Sequence, residues 1–289
     1  MDVLSAWLLQ VLLGDPFVLM IGMFLIIGII EFLVPARKIP FRHYAFNAVY
    51  GLVTVFVAAI IAPVLSACTA YAIQYVGLGL IDLRALGFSD IGGSIVAVLV
   101  AALIFDFFFY WLHRLHHGNK FLWQQHLLHH CDEHMNVTSA ARLHIFENFM
   151  TPVFVTIPMA ILFKMPPVTI GILSLIPFAW IYFVHANVRL GFGPLWWLIT
   201  SPQYHRIHHS LEMPHIDKNF VDWFPVWDIV FGTAYRPRSG ECPATGVAGV
   251  EVKTLKEAYL LPVKGWIKLL APPPPRGGVS VSVRRQRMR

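Results

Sequence analysis

Long apolar segments constrain the fold of this 289-residue chain more than any other feature. Residues 17–34, 44–74 and 91–112 each approach or exceed the roughly 20 apolar residues that a helix needs to cross a bilayer. Two shorter runs, 149–163 and 168–184, could form a tight hairpin or a re-entrant pair. Only 13% of the residues are charged, against about 25% in soluble domains. The sequence predicts an all-α integral membrane protein with about four to five membrane-inserted helices.

The apolar segments and the loops between them contain no convincing domain boundary. We expect residues 1–271 to form one membrane-embedded domain, with a motif core at about 91–235. The N-terminal residues carry no basic stretch of the kind that begins a cleavable signal peptide, so the first apolar segment is expected to remain as an anchor. Residues 255–271 could form an interfacial amphipathic helix, although Pro262 would break or kink it. The proline- and arginine-rich tail 272–289 is expected to be disordered.

The net charge of +6 comes from basic residues in the connections between apolar segments and in the tail. These residues form no groove-like patch interleaved with aromatic residues, which argues against nucleic-acid binding. Under the positive-inside rule an outside N-terminus places all of these connections in the cytoplasm. We therefore expect a multi-pass protein of a bacterial inner membrane or the endoplasmic reticulum, with a helical cap on the cytoplasmic face.

Three cysteines, Cys68, Cys131 and Cys242, are widely separated in the chain. Their odd number and spacing predict no disulfide framework. The chain also lacks the cysteine pairs of a thiolate zinc site.

Histidines are concentrated in residues 106–147, which contain eight of the 14 in the chain. Residues three or four apart share one face of a helix. This spacing occurs in three groups on the predicted cytoplasmic face: His113 and His117; His126, His129 and His130; and His205, His208 and His209. Neutral imidazole binds iron, zinc, copper and nickel. Eight imidazoles suit two ions with open positions, whereas solvated loop histidines or a biased composition are the competing interpretations.

These three groups resemble the eight-histidine pattern of the fatty acid hydroxylase/sterol desaturase superfamily, whose members are membrane di-iron oxygenases. The resemblance covers roughly residues 31–235. It includes an aspartate seven residues before the first histidine, and a Trp-Asp-x-x-Phe-Gly-Thr stretch that begins at Trp227. Further positions similar to the family are Tyr110, Trp111, Arg114, Asn136, Arg142, His144 and Glu147.

The resemblance also bears on residues outside the three groups. It implies that His185 is a ninth metal ligand, whereas Ile181 occupies a position at which some members carry a further histidine. Metal-bound imidazoles usually donate their other N–H to a carboxylate or carbonyl. Asp106 could therefore orient His113, or it could instead close the helix bundle over the site. Supporting roles are expected for Arg142, Glu147 and Asp228.

The family implies a non-haem di-iron enzyme of lipid metabolism that activates O2 and hydroxylates or desaturates a sterol, fatty acyl or related membrane lipid. The chain contains no flavin or nicotinamide motif, so its electrons would come from a separate cytochrome b5-like or ferredoxin-like protein with its reductase. The alternatives are a histidine-rich metal transporter, a metal-binding protein without oxygenase activity, and a bis-histidine haem protein. A transporter would need ionisable residues in mid-span, and a haem protein would need isolated histidines on facing spans.

Overall fold

The computed structural model describes residues 16–76, 79–82, 85, 91–164 and 179–271. These ranges are helical with connecting loops, and they contain three isolated β-bridges but no β-strand. The all-α fold class is thus confirmed for the described residues, while the number of membrane-inserted helices stays a prediction. The helices are α1 (Pro16–Leu33), α2 (Phe41–Val76), α3 (Ile91–Gly118), α4 (Lys120–His130), α5 (Glu147–Thr151), α6 (Ile157–Leu162), α7 (Pro202–His208), α8 (Val226–Val230) and α9 (Leu255–Leu270). Single turns of 3₁₀ helix occur at Val137–Ala141, Gly193–Leu195 and Met213–His215.

Helix α2 and the Ile95–Gly118 part of α3 are long and apolar enough to cross a membrane. Helix α2 continues through Pro63, so the segment predicted at 44–74 is one helix of 36 residues. Its length of about 54 Å exceeds the roughly 30 Å of a hydrocarbon core. Large apolar side chains cover its outer surface, including Leu52 at 71% and Phe56 at 69% exposure. Such a continuous apolar surface suits lipid contact.

Helix α1 is joined to other parts of the chain by the carboxylate of Glu31, which is only 1% exposed. The Tyr44 hydroxyl donates to one carboxylate oxygen at 2.5 Å. The backbone N–H groups of Val137 and Asn187 donate to the other oxygen, each at 2.8 Å. Three distant parts of the chain therefore meet at one side chain near the end of the first apolar helix.

The apolar run predicted at 149–163 forms a helical segment from Glu147 to Leu162, with a π-helical turn at Pro152–Thr156. Proline lacks the N–H of the regular helical ladder, which accounts for the irregular turn. The segment is about 24 Å long, shorter than a hydrocarbon core. Residues 179–185 are also helical. Residues 168–178 lie outside the described ranges, so the hairpin or re-entrant geometry of 149–184 stays a prediction.

Helix α9 packs along α4 and covers the outside of the histidine-bearing region. Thr254 caps its first turn, and the helix continues through Pro262 without a break. The Trp266 ring stacks on Phe121 at 4.9 Å between centroids, and its indole N–H donates to the Phe121 carbonyl at 2.7 Å. The tail 272–289 lies outside the described residues.

Candidate metal centre

The first two histidine groups meet because the chain turns sharply between α3 and α4. Helix α3 continues to Gly118, so the predicted third apolar segment carries His113 and His117 on its last two turns. Asn119 then caps α4, where its side chain accepts from the N–H groups of Phe121 and Leu122 at 2.9 and 3.1 Å. This turn folds α4 back against the end of α3.

The third group returns on α7, a short helix whose first turn is capped by Ser201. Its side chains complete two buried clusters of ring nitrogens, in each of which the candidate ligand atoms lie within 4.8 Å of one another. The first cluster contains His113, His117, His126, His130 and His208. The second cluster contains His129, His185, His205 and His209. The structure thus brings together all nine histidines that the sequence singles out as ligands.

The Nε2 atoms converge within each cluster. In the first, Nε2 of His113 is 3.0 Å from Nε2 of His208, and Nε2 of His130 is 3.1 Å from Nε2 of His117 and of His126. In the second, Nε2 of His185 lies 3.1 Å from His129 and 3.2 Å from His205, and Nε2 of His209 lies 3.2 Å from His205.

The opposite ring nitrogens determine the tautomers of several of these histidines. Nδ1 of His113 donates to the Phe220 carbonyl at 2.6 Å, and Nδ1 of His208 donates to the Lys218 carbonyl at 2.8 Å. A carbonyl oxygen can only accept, so the proton of each neutral ring is on Nδ1. The two Nε2 atoms therefore face each other with bare lone pairs at 3.0 Å. No proton is left to join them, and a cation between them would remove the repulsion.

The donor set fits divalent transition-metal ions. Two imidazole nitrogens bound at about 2.1 Å and at right angles to each other would lie about 3.0 Å apart, close to the observed spacing. Burial lowers the pKa of six of these histidines well below its usual range: His126, His129, His130, His205, His208 and His209. The rings are thus neutral at physiological pH, as ligation requires. Iron, zinc, copper and nickel all accept such ligands.

Glu147 contacts the His126 ring on the side away from the first cluster, with its Oε2 2.9 Å from Nδ1. Burial raises the pKa of the Glu147 carboxyl to about 8, although the His144 N–H lowers it. The proton of this hydrogen bond is on Nδ1 of His126 when Glu147 is ionised, and on Oε2 when Glu147 is neutral. An ion at Nε2 would favour the state in which Nδ1 is protonated and Glu147 is ionised. His116 stacks on His126, and these two rings form with Glu147 a third small group that shares His126 with the first cluster.

Asp106 acts on the loop that holds His113 and has no direct contact with that ring among the described interactions. Its carboxylate accepts from the backbone N–H groups of Asp222 and Trp223 at 3.3 Å and of Phe224 at 2.8 Å. These contacts fasten residues 222–224 to α3, while the supporting role of Asp106 at a metal site stays a prediction. The same loop supplies the Phe220 carbonyl that orients His113.

Asp228 and Arg142 are both buried and bind the backbone around the clusters. The Asp228 carboxylate accepts from the Tyr204 hydroxyl at 2.9 Å and from the N–H groups of Phe220 and Val221 at 2.9 and 3.1 Å. The Arg142 guanidinium donates to the Leu128 carbonyl near the end of α4. The first side chain therefore joins α7 to the loop behind His113, and the second holds the end of α4.

Other polar partners of the clusters were not visible in the sequence. Asp217 lies 3.4 Å from Nδ1 of His117, and Lys218 contributes its carbonyl to His208. No local pattern identifies a backbone carbonyl as a partner, and Asp217 lies 100 residues after His117 in the sequence. His215 and His134 lie outside both clusters, in contact with Ser210 and His43 respectively.

A cavity of about 80 Å³ adjoins both clusters. Histidines of each cluster line it, together with Glu147 and Asp222. Its remaining walls are largely apolar and include Phe109, Leu112, Leu143 and Ile181. Ile181 thus presents an alkyl side chain to this space, while its carbonyl accepts from Nδ1 of His185 at 2.6 Å.

The fold and the two clusters define a helical protein with buried all-histidine sites suited to a pair of metal ions. Residues 98–233 match the family model for fatty acid hydroxylases. This segment contains every histidine of both clusters, and it belongs to the fatty acid hydroxylase/sterol desaturase superfamily. The family predicted from the histidine motifs is therefore confirmed.

Several characterised proteins are similar to this chain. It is 32% identical to alkylglycerol monooxygenase of Xenopus tropicalis over 44% of this chain and 28% of that protein. It is 29% identical to ornithine lipid hydroxylase OlsE of Rhizobium tropici over 54% of this chain and 47% of that protein. It is 26% identical to the very-long-chain aldehyde decarbonylase CER1 of Arabidopsis thaliana over 55% of this chain and 27% of that protein. The chain thus spans less than half the length of each relative. No solved structure matches it.

Proposed function

We propose that this chain is a membrane-embedded, non-haem di-iron oxygenase that hydroxylates or desaturates a lipid in an O2-dependent reaction. The main support is the pair of clusters, in which the Nε2 lone pairs of His113 and His208 face each other 3.0 Å apart. The lipid hydroxylases and monooxygenases among its relatives support an oxygenase over a metal transporter. The five-histidine cluster would hold one ion and the four-histidine cluster the other.

Two bound iron ions would supply reductive activation of O2 for the oxidation of a C–H bond. The protein would hold the imidazoles in their metal-binding tautomer through Glu147 and the carbonyls of Phe220, Lys218 and Ile181. Asp106, Asp228 and Arg142 would fix the backbone that carries these partners. Such supporting contacts are commonly worth 10- to 100-fold in metal affinity or activity.

The cavity beside the clusters supports an alkyl or acyl chain as the reacting part of the substrate. Phe109, Leu112 and Ile181 would bind a hydrocarbon segment and exclude water from the reacting carbon. Two relatives, alkylglycerol monooxygenase and ornithine lipid hydroxylase, act on lipids according to their names, which supports a lipid substrate here. Access from the bilayer would deliver such a chain directly.

The membrane topology belongs to the same proposal. The site would lie in a cytoplasmic cap of a multi-pass protein, as the distribution of basic residues favours. Electrons would come from a separate donor of the cytochrome b5 or ferredoxin type.

The test is metal analysis and turnover of the purified full chain. We expect about two iron ions per chain and no Soret band, together with lipid products that carry oxygen from labelled O2 when the reaction is a hydroxylation. His208→Ala and His205→Ala would each remove one ion and abolish turnover, because each substitution removes a ligand from a different cluster.

The matched control is His134→Gln, because His134 lies outside both clusters. It is expected to retain iron and turnover. A protein that keeps two ions and full turnover in both alanine variants would refute the assignment of the site. A fully metal-loaded protein without any O2-dependent lipid product would favour the metal-binding or transport alternative.

A further inference from the structure

A second cavity, of about 360 Å³, lies apart from the histidine clusters and shares no lining residue with the cavity beside them. Four arginines line it: Arg189, Arg206, Arg236 and Arg238. Glu241 is the one carboxylate among the described residues that line it. The Glu241 oxygens are already engaged with the Tyr235 hydroxyl at 3.1 Å and the Arg238 N–H at 2.8 Å. The cavity thus carries a large excess of positive charge.

Arg206 is the key residue, because it is only 3% exposed. Its Nε donates to the Pro243 carbonyl at 3.2 Å. Its Nη1 is buried and has no hydrogen-bond partner among the described residues. Among the described residues no carboxylate lies within ion-pair distance of Arg206. A buried cation without such a close partner is costly, so its retention here indicates a ligand that completes the pairing.

Guanidinium groups match the geometry of phosphate oxygens and bind them with paired, charge-assisted hydrogen bonds. We infer that this cavity is a binding site for a phosphate group, with Arg206 at its base and the exposed Arg189, Arg236 and Arg238 around it. The ligand is distinct from the hydrocarbon that the cavity beside the histidines would receive.

The wall of the cavity favours a phosphate carried by a lipid headgroup over an acidic protein surface. Phe192, Pro194 and Trp196 contribute to the lining, and the adjoining Leu195, Trp197 and Leu198 are exposed. Tryptophan and leucine beside arginine are typical of the interface between lipid and water. Arg206 lies between His205 and His208 on α7. A bound phosphate would therefore stabilise the helix that carries ligands of both clusters.

The experiment measures the melting temperature and ligand affinity of the purified full chain in a neutral detergent. Three probes are compared: short-chain phosphatidylglycerol, the diacylglycerol of the same chain length, and inorganic phosphate. We expect stabilisation by phosphatidylglycerol and none by diacylglycerol. If inorganic phosphate stabilises equally well, the site takes a soluble phosphate; if only the lipid does, it takes a headgroup. Either result supports a phosphate site.

The variants are Arg206→Gln and the double change Arg236→Gln with Arg238→Gln. We expect at least about tenfold weaker binding in the double variant, since two charge-assisted contacts are lost, and a larger loss in Arg206→Gln. The double variant alters only exposed side chains, so it remains informative if Arg206→Gln fails to fold. Arg42→Gln removes an exposed arginine elsewhere and serves as the matched control.

The inference is overturned if no phosphate probe binds. It is also overturned if the double variant binds the probes as tightly as the Arg42→Gln control and the unaltered protein do. Stabilisation by an acidic peptide in place of both phosphate probes would also overturn it, and would assign the arginines to a protein partner.

Discussion

Oε2 of Glu147 lies 2.9 Å from Nδ1 of His126, and this contact joins the start of α5 to the middle of α4. Glu147→Gln keeps an oxygen that can accept from Nδ1 but removes the negative charge that favours the metal-binding tautomer. We expect roughly 10-fold weaker metal binding, measured as iron retained per chain during dialysis against a competing chelator. Glu251→Gln, which alters an exposed carboxylate, is the control. Equal retention in both variants would show that Glu147 does not support the ligand.

Asp106 gives a second prediction, because its buried carboxylate accepts from three consecutive backbone N–H groups. Asp106→Asn replaces one carboxylate oxygen with an amide NH2 group. At least one of the three backbone N–H groups would then face a donor instead of an acceptor. Breaking such a buried charged contact costs about 3 kcal/mol. We expect a lower melting temperature and, because the loop also orients His113, a lower iron content. Trp227→Phe removes a single indole hydrogen bond to the Leu103 carbonyl and should cost about 1 kcal/mol. A smaller effect in Asp106→Asn than in Trp227→Phe would contradict the prediction.

Gly51 gives a prediction about packing. A Cβ atom at this position in α2 would lie 2.9 Å from the Cβ of Ala141 in the turn that follows α4. Gly51→Ala should therefore destabilise the protein by about 1–3 kcal/mol, the usual cost of overpacking. Gly28→Ala is the matched control, since a Cβ there meets nothing within 4 Å, and alanine favours a helix. Thermal unfolding of the two variants in the same detergent tests the difference. An equal or higher melting temperature for Gly51→Ala would mean that the contact between α2 and the turn is loose.

The histidine groups show how much of the site could be predicted from the sequence. Spacings of three and four residues identify His126, His129 and His130 as one helical face, and the apolar run before His113 identifies the helix that carries it. The division into clusters was not predictable, because His129 faces the second cluster while its neighbours His126 and His130 face the first. That division depends on how α3, α4 and α7 cross.

Long-range contacts set the other limits of the sequence analysis. The burial of Glu31 and Arg206 results from tertiary packing, and neither position has a local pattern that indicates it. Two prolines show a further limit. Pro63 and Pro262 are compatible with a break or kink, yet α2 and α9 continue through them. Packing of the surrounding helix outweighs the loss of one backbone hydrogen bond at each site.

Metal removal should destabilise the folded protein. An ion that binds only the folded state at a hundred times its dissociation constant contributes about 2.7 kcal/mol. For a chain of this size that corresponds to a decrease of roughly 5–10 °C in melting temperature after chelation. The double variant His205→Ala with His208→Ala should show no such decrease, because it has lost a ligand from each cluster. An unchanged melting temperature of the unaltered protein after complete chelation would count against metal binding by the folded state.

The metal-free protein should lose stability in mild acid. Burial lowers the pKa of His185 to about 4, and that of His129 and His205 well below the usual value of 6.5. Below about pH 6.5 the unfolded chain therefore binds more protons than the folded one, and the free energy of unfolding falls as the pH falls. The melting temperature of chelated protein should decrease between about pH 7 and about pH 5, because the several buried rings outweigh the opposite effect of Glu147, whose pKa is raised to about 8. Stability that increases on acidification would contradict the neutral state of the buried rings.

The division of ligands between the clusters has a consequence for biosynthesis. Four of the five histidines in the first cluster come from α3 and α4, within residues 113–130, and only His208 is supplied later. Only His129 of the second cluster comes from that stretch, and its other members, His185, His205 and His209, follow later in the sequence. A growing chain can thus assemble most of the first site while the second still has a single ligand. In the di-iron protein proposed above, the first position would therefore have most of its ligands in place before the second.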